Sequence, residues 1–198
     1  MHAPQEIRTF FVTSVTNRRE PIFKIEKMAR LQLDVLADKR AEGRFLLHEF
    51  VIMPDHFHLI LTPDENVSLE KALQYIKGGF SFRAKQELRY RHFVWEEGFT
   101  NHRIRDEQDY DHHRDYIHQN PVEAGLSKTA QEYPYSSAFP GAAIDPAPPW
   151  LKPLSKNDAH AALKGRSSTP FFRAEARTST CGKRGFGVNH SEYEERLP

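Results

Sequence analysis

The sequence contains a single cysteine, Cys181, among 198 residues. No disulfide can close within the chain, and no thiolate-rich zinc cluster can form. No apolar run approaches the ~20 residues that a membrane-spanning helix needs. The first eight residues, Met-His-Ala-Pro-Gln-Glu-Ile-Arg, lack the apolar core of a secretory signal. A strong excess of either charge is also missing, with 28 Lys and Arg against 27 Asp and Glu. Any nucleic-acid site must therefore come from local clustering rather than from the net field. Together these deficits predict a protein of the reducing cytoplasm with no membrane partner. What the chain does have is histidine, 11 in all, which raises the question of metal binding. Its 13 prolines and negative mean hydropathy predict that part of it is extended.

A chain of this length accommodates one domain plus an appendage. Thr9 to Thr16 is rich in β-branched and aromatic residues and reads as a strand. From about Lys24 to Glu42 the spacing of Ile25, Met28, Leu31 and Val35 predicts a helix, with Gly43 placed to end it. Core packing accounts for this helix fully. Phe45–Met53 and His56–Thr62 read as two strands joined by a tight Pro54-Asp55 turn, hence an antiparallel hairpin. Ser68 is an N-cap for a helix reaching about Leu88, on the spacing of Leu69, Leu73, Ile76 and Phe80, with Gly78-Gly79 expected to weaken or bend its middle. Phe93–Trp95 and Thr100–Arg105 read as short strands. Asp106 caps a third helix that passes through Tyr116 and is expected to end near Pro121.

The order β-α-β-β-α-β-α predicts an α+β fold, a ferredoxin-like antiparallel sheet with helices packed on one face. The domain is expected to occupy residues 1–140. Residues 141–198 begin with a Pro- and Ala-rich run and show little periodicity, so they are expected to form a partly irregular C-terminal extension.

The chemistry concentrates in two places. In Met53-Pro54-Asp55-His56-Phe57-His58 the two imidazoles project from the same strand face, roughly 6.5–7 Å apart, a gap that two rings can close onto one cation. On the third helix, Asp109, His113, Tyr116 and Asn120 are spaced by 4, 3 and 4 and share a face. That face is a poor apolar seam, so it is either solvated or turned to a polar site. Facing the histidine strand, it would supply a side-chain oxygen to a three-ligand site suited to Mg²⁺ and at least as well to Mn²⁺. A phenol is a weak nucleophile at neutral pH, with a pKa of about 10, and a cation polarising a phosphodiester would offset that weakness. Between Lys77 and Arg91 five basic residues stand against one acidic one, and Arg103, Arg105 and Arg114 follow. Such a stripe could hold phosphates while Phe80, Phe82 and Tyr90 stack on unpaired bases, although residue by residue a solvated helix face with core aromatics is the better reading.

His56-Phe57-His58 behind Met-Pro-Asp, followed downstream by Tyr116-Ile117-His118-Gln119-Asn120-Pro121-Val122-Glu123-Ala124-Gly125-Leu126, resembles the single-tyrosine HUH transposases, most closely their REP-associated branch. Ile76–Ser81, Ile104–Tyr110 and Tyr133–Ser137 agree with that resemblance, which spans about Ile7 to Phe139. The resemblance implies that His56, His58 and Asn120 hold a divalent metal, Mg²⁺ or Mn²⁺, and that Tyr116 is the catalytic nucleophile. It implies single-stranded, hairpin-bearing DNA of the repeated extragenic palindrome type as partner. Cleavage would leave a 5′-phosphotyrosine and a free 3′-hydroxyl, with strand transfer to follow and no nucleotide cofactor. Lys77, Arg83, Lys85, Arg103 and Arg105 are the expected DNA contacts, on a monomer or homodimer. A non-catalytic single-stranded nucleic-acid-binding module on the same sheet is the alternative. It would keep the basic stripe but have no use for the two histidines, Tyr116 and Asn120 together.

Overall fold

The computed structural model describes residues 8–148 and residue 151. Strand β1 (Phe10–Val15) is followed by two 3₁₀ turns and helix α1 (Glu26–Ala41), then the hairpin of β2 (Phe45–Met53) and β3 (His56–Pro63). Helix α2 (Leu69–Glu87), strand β4 (Thr100–Arg103) and helix α3 (Glu107–Glu123) complete the order. The sheet runs β2-β3-β1-β4 with every neighbouring pair antiparallel. This is the ferredoxin-like arrangement expected from element order.

Alternation along β3 divides the interior into two layers. Phe57, Leu59 and Leu61 point to one face, where Val12, Leu47, Phe50 and Ile52 join them beneath α1 and α2. Ile60 points to the other face, with Val51, Met53 and Ile104, and there meets Tyr110 and Ile117 of α3. The expectation of helices on one face thus describes α1 and α2, whereas α3 covers the opposite face. The physical reason is that both faces of β2 and β3 are apolar, and a sheet with two apolar faces needs cover on each.

Helix α2 runs unbroken through Gly78-Gly79. A side chain at Gly79 would meet Val35 Cγ1 at 3.3 Å, so this glycine lets α1 and α2 approach closely rather than bending α2. Of the expected 93–95 strand only one bridge forms, Thr16 to Trp95. Trp95 instead packs its ring against Phe23, Phe57 and Phe80. Helix α3 continues past its expected end. Pro121 lies inside it, and the helix closes where Ala124 N–H donates to the Asn120 carbonyl and Gly125 takes a left-handed φ of +67°. Asn120 therefore keeps helical geometry relative to Tyr116.

Past Pro140 the chain folds back on the sheet edge. Asp145 accepts two hydrogen bonds from the Arg40 guanidinium, both 2.7 Å, and one from Leu47 N–H at 2.8 Å. The Pro146 carbonyl lies 2.7 Å from His48 Nδ1. Most of the expected C-terminal extension, and Cys181 with it, lies outside the described residues. Substituting Asp145→Ala removes the partner of a part-buried guanidinium and of a backbone N–H. A loss of about 1–3 kcal/mol is expected. It should appear as a lower urea midpoint with an unchanged slope, and Asp145→Asn should fall between.

Candidate active site

The hairpin turn that carries the histidines is held from two sides. The Asp55 carbonyl accepts the Thr16 N–H and hydroxyl, both at 2.8 Å, and the Pro54 carbonyl accepts Phe23 N–H at 3.0 Å. Asp55 then orients the first imidazole, its carboxylate lying 2.6 Å from His56 Nδ1 and 3.2 Å from an Arg19 nitrogen. Burial alone would raise the Asp55 carboxyl. The hydrogen bonds from His56 and Arg19 outweigh it and hold the carboxyl below its ordinary value. An ionised carboxylate only accepts, so His56 carries a proton on Nδ1, and Nε2 is the nitrogen left to face a ligand.

His58 is deeper, 4 % exposed. Its Nδ1 lies 2.7 Å from Thr13 Oγ1 on β1, whereas its Nε2 is buried and takes no hydrogen bond among the described residues. Burial, assisted by the neighbouring His56, pushes its pKa down to about 3 and keeps the ring neutral. The His56 and His58 rings are 4.7 Å apart. Two imidazoles with Nδ1 tied back by a carboxylate and a hydroxyl form the usual environment of metal-ligating histidines. A buried ring nitrogen without a partner is what such a ligand leaves when considered alone. The His pair therefore fits a divalent cation.

Helix α3 brings the tyrosine to this pair. The Tyr116 ring lies 5.1 Å from His58, edge to face. Phe11, two residues before Thr13 on β1, packs against His58 at 5.3 Å, Tyr116 at 6.0 Å and His113 at 4.6 Å. Asn120 follows Tyr116 by one turn on the same helix face. The rotation of α3 is set elsewhere, by Ile117 in the seam and by a buried carboxylate on β2. Glu49, 6 % exposed, accepts from His118 Nε2 at 2.8 Å, Ser137 Oγ at 2.6 Å and Tyr110 OH at 3.4 Å. A β-bulge at His48 turns Glu49 toward α3. Phe11 and Glu49 were not singled out from sequence. Phe11 had a signal, since alternation puts it on the Thr13 face of β1; Glu49 had none.

The expected DNA contacts are dispersed. Lys77, Arg83 and Lys85 lie on α2, across the sheet from Tyr116. Lys77 donates to the carbonyls of Glu96 and Gly98, and burial lowers its pKa. Arg83 bonds Glu87 and Asp38, while Lys85 is exposed. Arg103 ends β4, and exposed Arg105 lies at the start of α3, on the Tyr116 side.

Known proteins resemble this chain in sequence and in fold. The family model described as "Transposase IS200 like" matches residues 8–120. The REP-associated tyrosine transposase of Escherichia coli (strain K12) is 30 % identical over 129 residues, which is 65 % of this chain and 74 % of that protein. A relative from Haemophilus influenzae is 34 % identical over 96 residues, 43 % of this chain and 54 % of its own. Among solved structures, a REP-associated tyrosine transposase bound to a REP hairpin superposes with a TM-score of 0.56 at 27 % identity, covering 75 % of this chain and 92 % of that one.

The buried His58 makes stability depend on pH. Its folded pKa near 3 lies below the ordinary 6.5, so the unfolded chain binds the proton first as pH falls through 6.5. Stability should then decline from that pH toward pH 3, with this group contributing a slope of up to about 1.4 kcal/mol per pH unit. His48 and His113, both lowered by burial, act in the same direction. Urea unfolding across this range should show a shallower decline for His58→Gln than for wild type. Equal slopes would remove His58 as the cause.

Proposed function

This chain belongs to the IS200-like transposase family and, within it, to the REP-associated tyrosine transposases, and we propose that it cleaves and rejoins single-stranded, hairpin-bearing DNA through Tyr116. The observation that carries this reading is the Tyr116 ring 5.1 Å from an imidazole that burial holds neutral. The Tyr116 phenol oxygen attacks the scissile phosphorus and gives up its proton. The bond from phosphorus to the 3′ oxygen breaks, and that oxygen takes a proton as it leaves. The product is a 5′-phosphotyrosine ester and a free 3′-hydroxyl, and attack by another 3′-hydroxyl reverses the exchange. Bond energy is kept in the ester, so no nucleotide cofactor is needed.

His56, His58 and Asn120 would hold Mg²⁺ or Mn²⁺, which when bound polarises the phosphate and offsets the weakness of a phenol nucleophile. Asp55 and Thr13 orient the two rings by their Nδ1 atoms. Phe11 stacks on the face of His58 and meets Tyr116 edge to face, covering that side of the pair. Among the basic residues, Arg105 lies beside the tyrosine helix and Lys85 is exposed, so both can take phosphates directly. Lys77 and Arg83 would first have to release the partners they hold.

The test uses end-labelled hairpins from repeats flanking the gene, incubated with the protein and Mg²⁺ or Mn²⁺. A covalent protein–DNA adduct should survive a denaturing gel. In Tyr116→Phe it should fall by roughly 10³-fold or more while native-gel retardation of the hairpin persists. Chelation should abolish the adduct and either ion restore it. Retardation with no adduct under any of these conditions would instead establish a non-catalytic binding module. Cleavage that survives in Tyr116→Phe would mean hydrolysis by water.

A further inference from the structure

A second group of ligating side chains lies beyond Phe11, and none of its members is used by the proposed strand exchange. His102 projects from β4 toward α3, because it pairs in register with Phe11 and so shares that residue's face of the sheet. Asp109 and His113 come from the first turns of α3, at i and i+4. One ligating atom from each of the three lies within 4.8 Å of the other two.

The carboxylate of Asp109 is fixed for this purpose. Its Oδ2 accepts the Arg105 N–H at 3.1 Å, as part of the reciprocal cap in which Asp106 Oδ1 accepts Asp109 N–H. Its Oδ1 lies 3.1 Å from His102 Nε2 and 3.2 Å from His113 Nδ1; His102 Nε2 also lies 2.8 Å from Oδ2 and His113 Nδ1 2.8 Å from the Asp109 carbonyl, so an ion entering here displaces the protons these nitrogens donate. Ligand atoms bonded at ~2.0–2.1 Å to one ion in tetrahedral or octahedral geometry stand about 2.9–3.4 Å apart. The two oxygen-to-nitrogen separations fall in that window. The His102 and His113 rings lie stacked 4.8 Å apart and 18° from parallel, so one ring must turn out of the stack for both in-plane lone pairs to meet at one ion.

The surroundings favour a cation. The cleft outside the cluster, about 530 Å³, is lined by His112, Asp106, Asp111 and Asp115, with Arg105 the one Lys or Arg lining it among the described residues. The Phe11 ring packs against both His113 and His58, and neither His56 nor His58 belongs to the 4.8 Å group.

We propose that His102, Asp109 and His113 form a second divalent-metal site, separate from His56/His58, for a borderline-soft transition ion of the Zn²⁺ or Co²⁺ type. Two imidazoles and one carboxylate with open coordination positions are the donor set for such ions rather than for Mg²⁺. An ion there ties the edge strand β4 to α3, one turn before Tyr116, and so stiffens the helix that carries the nucleophile.

The experiment uses the full chain carrying His56→Ala and His58→Ala, so that only the second site remains. Calorimetric titration with Zn²⁺ should show about one equivalent bound, and Co²⁺ should give visible d–d absorption. Zn²⁺ should also raise the thermal midpoint of this variant. Adding His102→Gln or Asp109→Asn should weaken Zn²⁺ binding by about tenfold or more and remove the thermal shift. Unfolding without metal is measured on every variant, and His102→Ala replaces any that fails to fold. No Zn²⁺ binding by the starting variant, or binding that His102→Gln and Asp109→Asn leave unchanged, would overturn the proposal. Neither result depends on DNA cleavage, so it stands or falls separately from the role of Tyr116.

Discussion

The alternation of β3 between two covered faces governs the rest of the structure. β3 is paired on both edges, with β2 on one side and β1 on the other, and its odd-numbered residues from Phe57 to Leu61 anchor the layer under α1 and α2. A slip of one residue would bring His58 into that apolar layer and expose Phe57 to α3. Burying Phe57, Leu59 and Leu61 contributes roughly 1.5–3 kcal/mol each, which makes such a slip prohibitive. The same constraint that fixes the core therefore aims both imidazoles at the opposite face. The tie from Thr16 and Phe23 to the Pro54-Asp55 turn holds the near end of the strand.

On the opposite face the open variable is the rotation of α3. Its seam is thin, since among its buried residues only Tyr110, Ile117 and Pro121 face inward. A short apolar seam alone leaves a helix free to roll by one residue, about 100°. Glu49 supplies the missing constraint by meeting His118 and Tyr110, one from each end of the helix, together with Ser137 from the following segment. Taking a carboxylate out of water costs several kcal/mol, so this cluster adds little net stability. What it adds is direction: with His118 turned to β2, Tyr116 turns to β1 and β3.

Much of this was legible in the sequence because it follows from periods. The limits of β2, the start of β3, the Ser68 and Asp106 caps and the shared face of Tyr116 and Asn120 all come from spacing and capping chemistry. What was not legible depends on contacts distant along the chain. Element order does not say which face a third helix takes, and α3 went to the face that β2 and β3 left apolar. The His48 bulge carries no compositional mark, yet without it Glu49 would point away from α3. Residues 141–148 read as a linker, but the Arg40–Asp145 pair, 105 residues apart, seats them on the sheet. Pro121 read as a stop, although its neighbours supply the closing hydrogen bonds of the last turn. Lys77 looked like part of a solvated stripe, and periodicity cannot distinguish that from a lysine capping the carbonyls of Glu96 and Gly98.

The two faces also differ in where their charge resides. The α2 face carries lysines and arginines on its outer surface, whereas the α3 face encloses imidazoles that burial holds uncharged, His58 and His113 among them. Neutral rings are suited to donating lone pairs, but they exert no pull on a polyanion. Under the proposed role of Tyr116, attraction of a phosphate toward it would come from the rim, where Arg105 is exposed beside the helix, or from a cation gathered by the rings themselves. The near balance of acidic and basic residues over the whole chain is consistent with this division. With no net field to draw nucleic acid in, strand placement depends on a few charges close to the tyrosine, and it should weaken with salt in proportion to that small number.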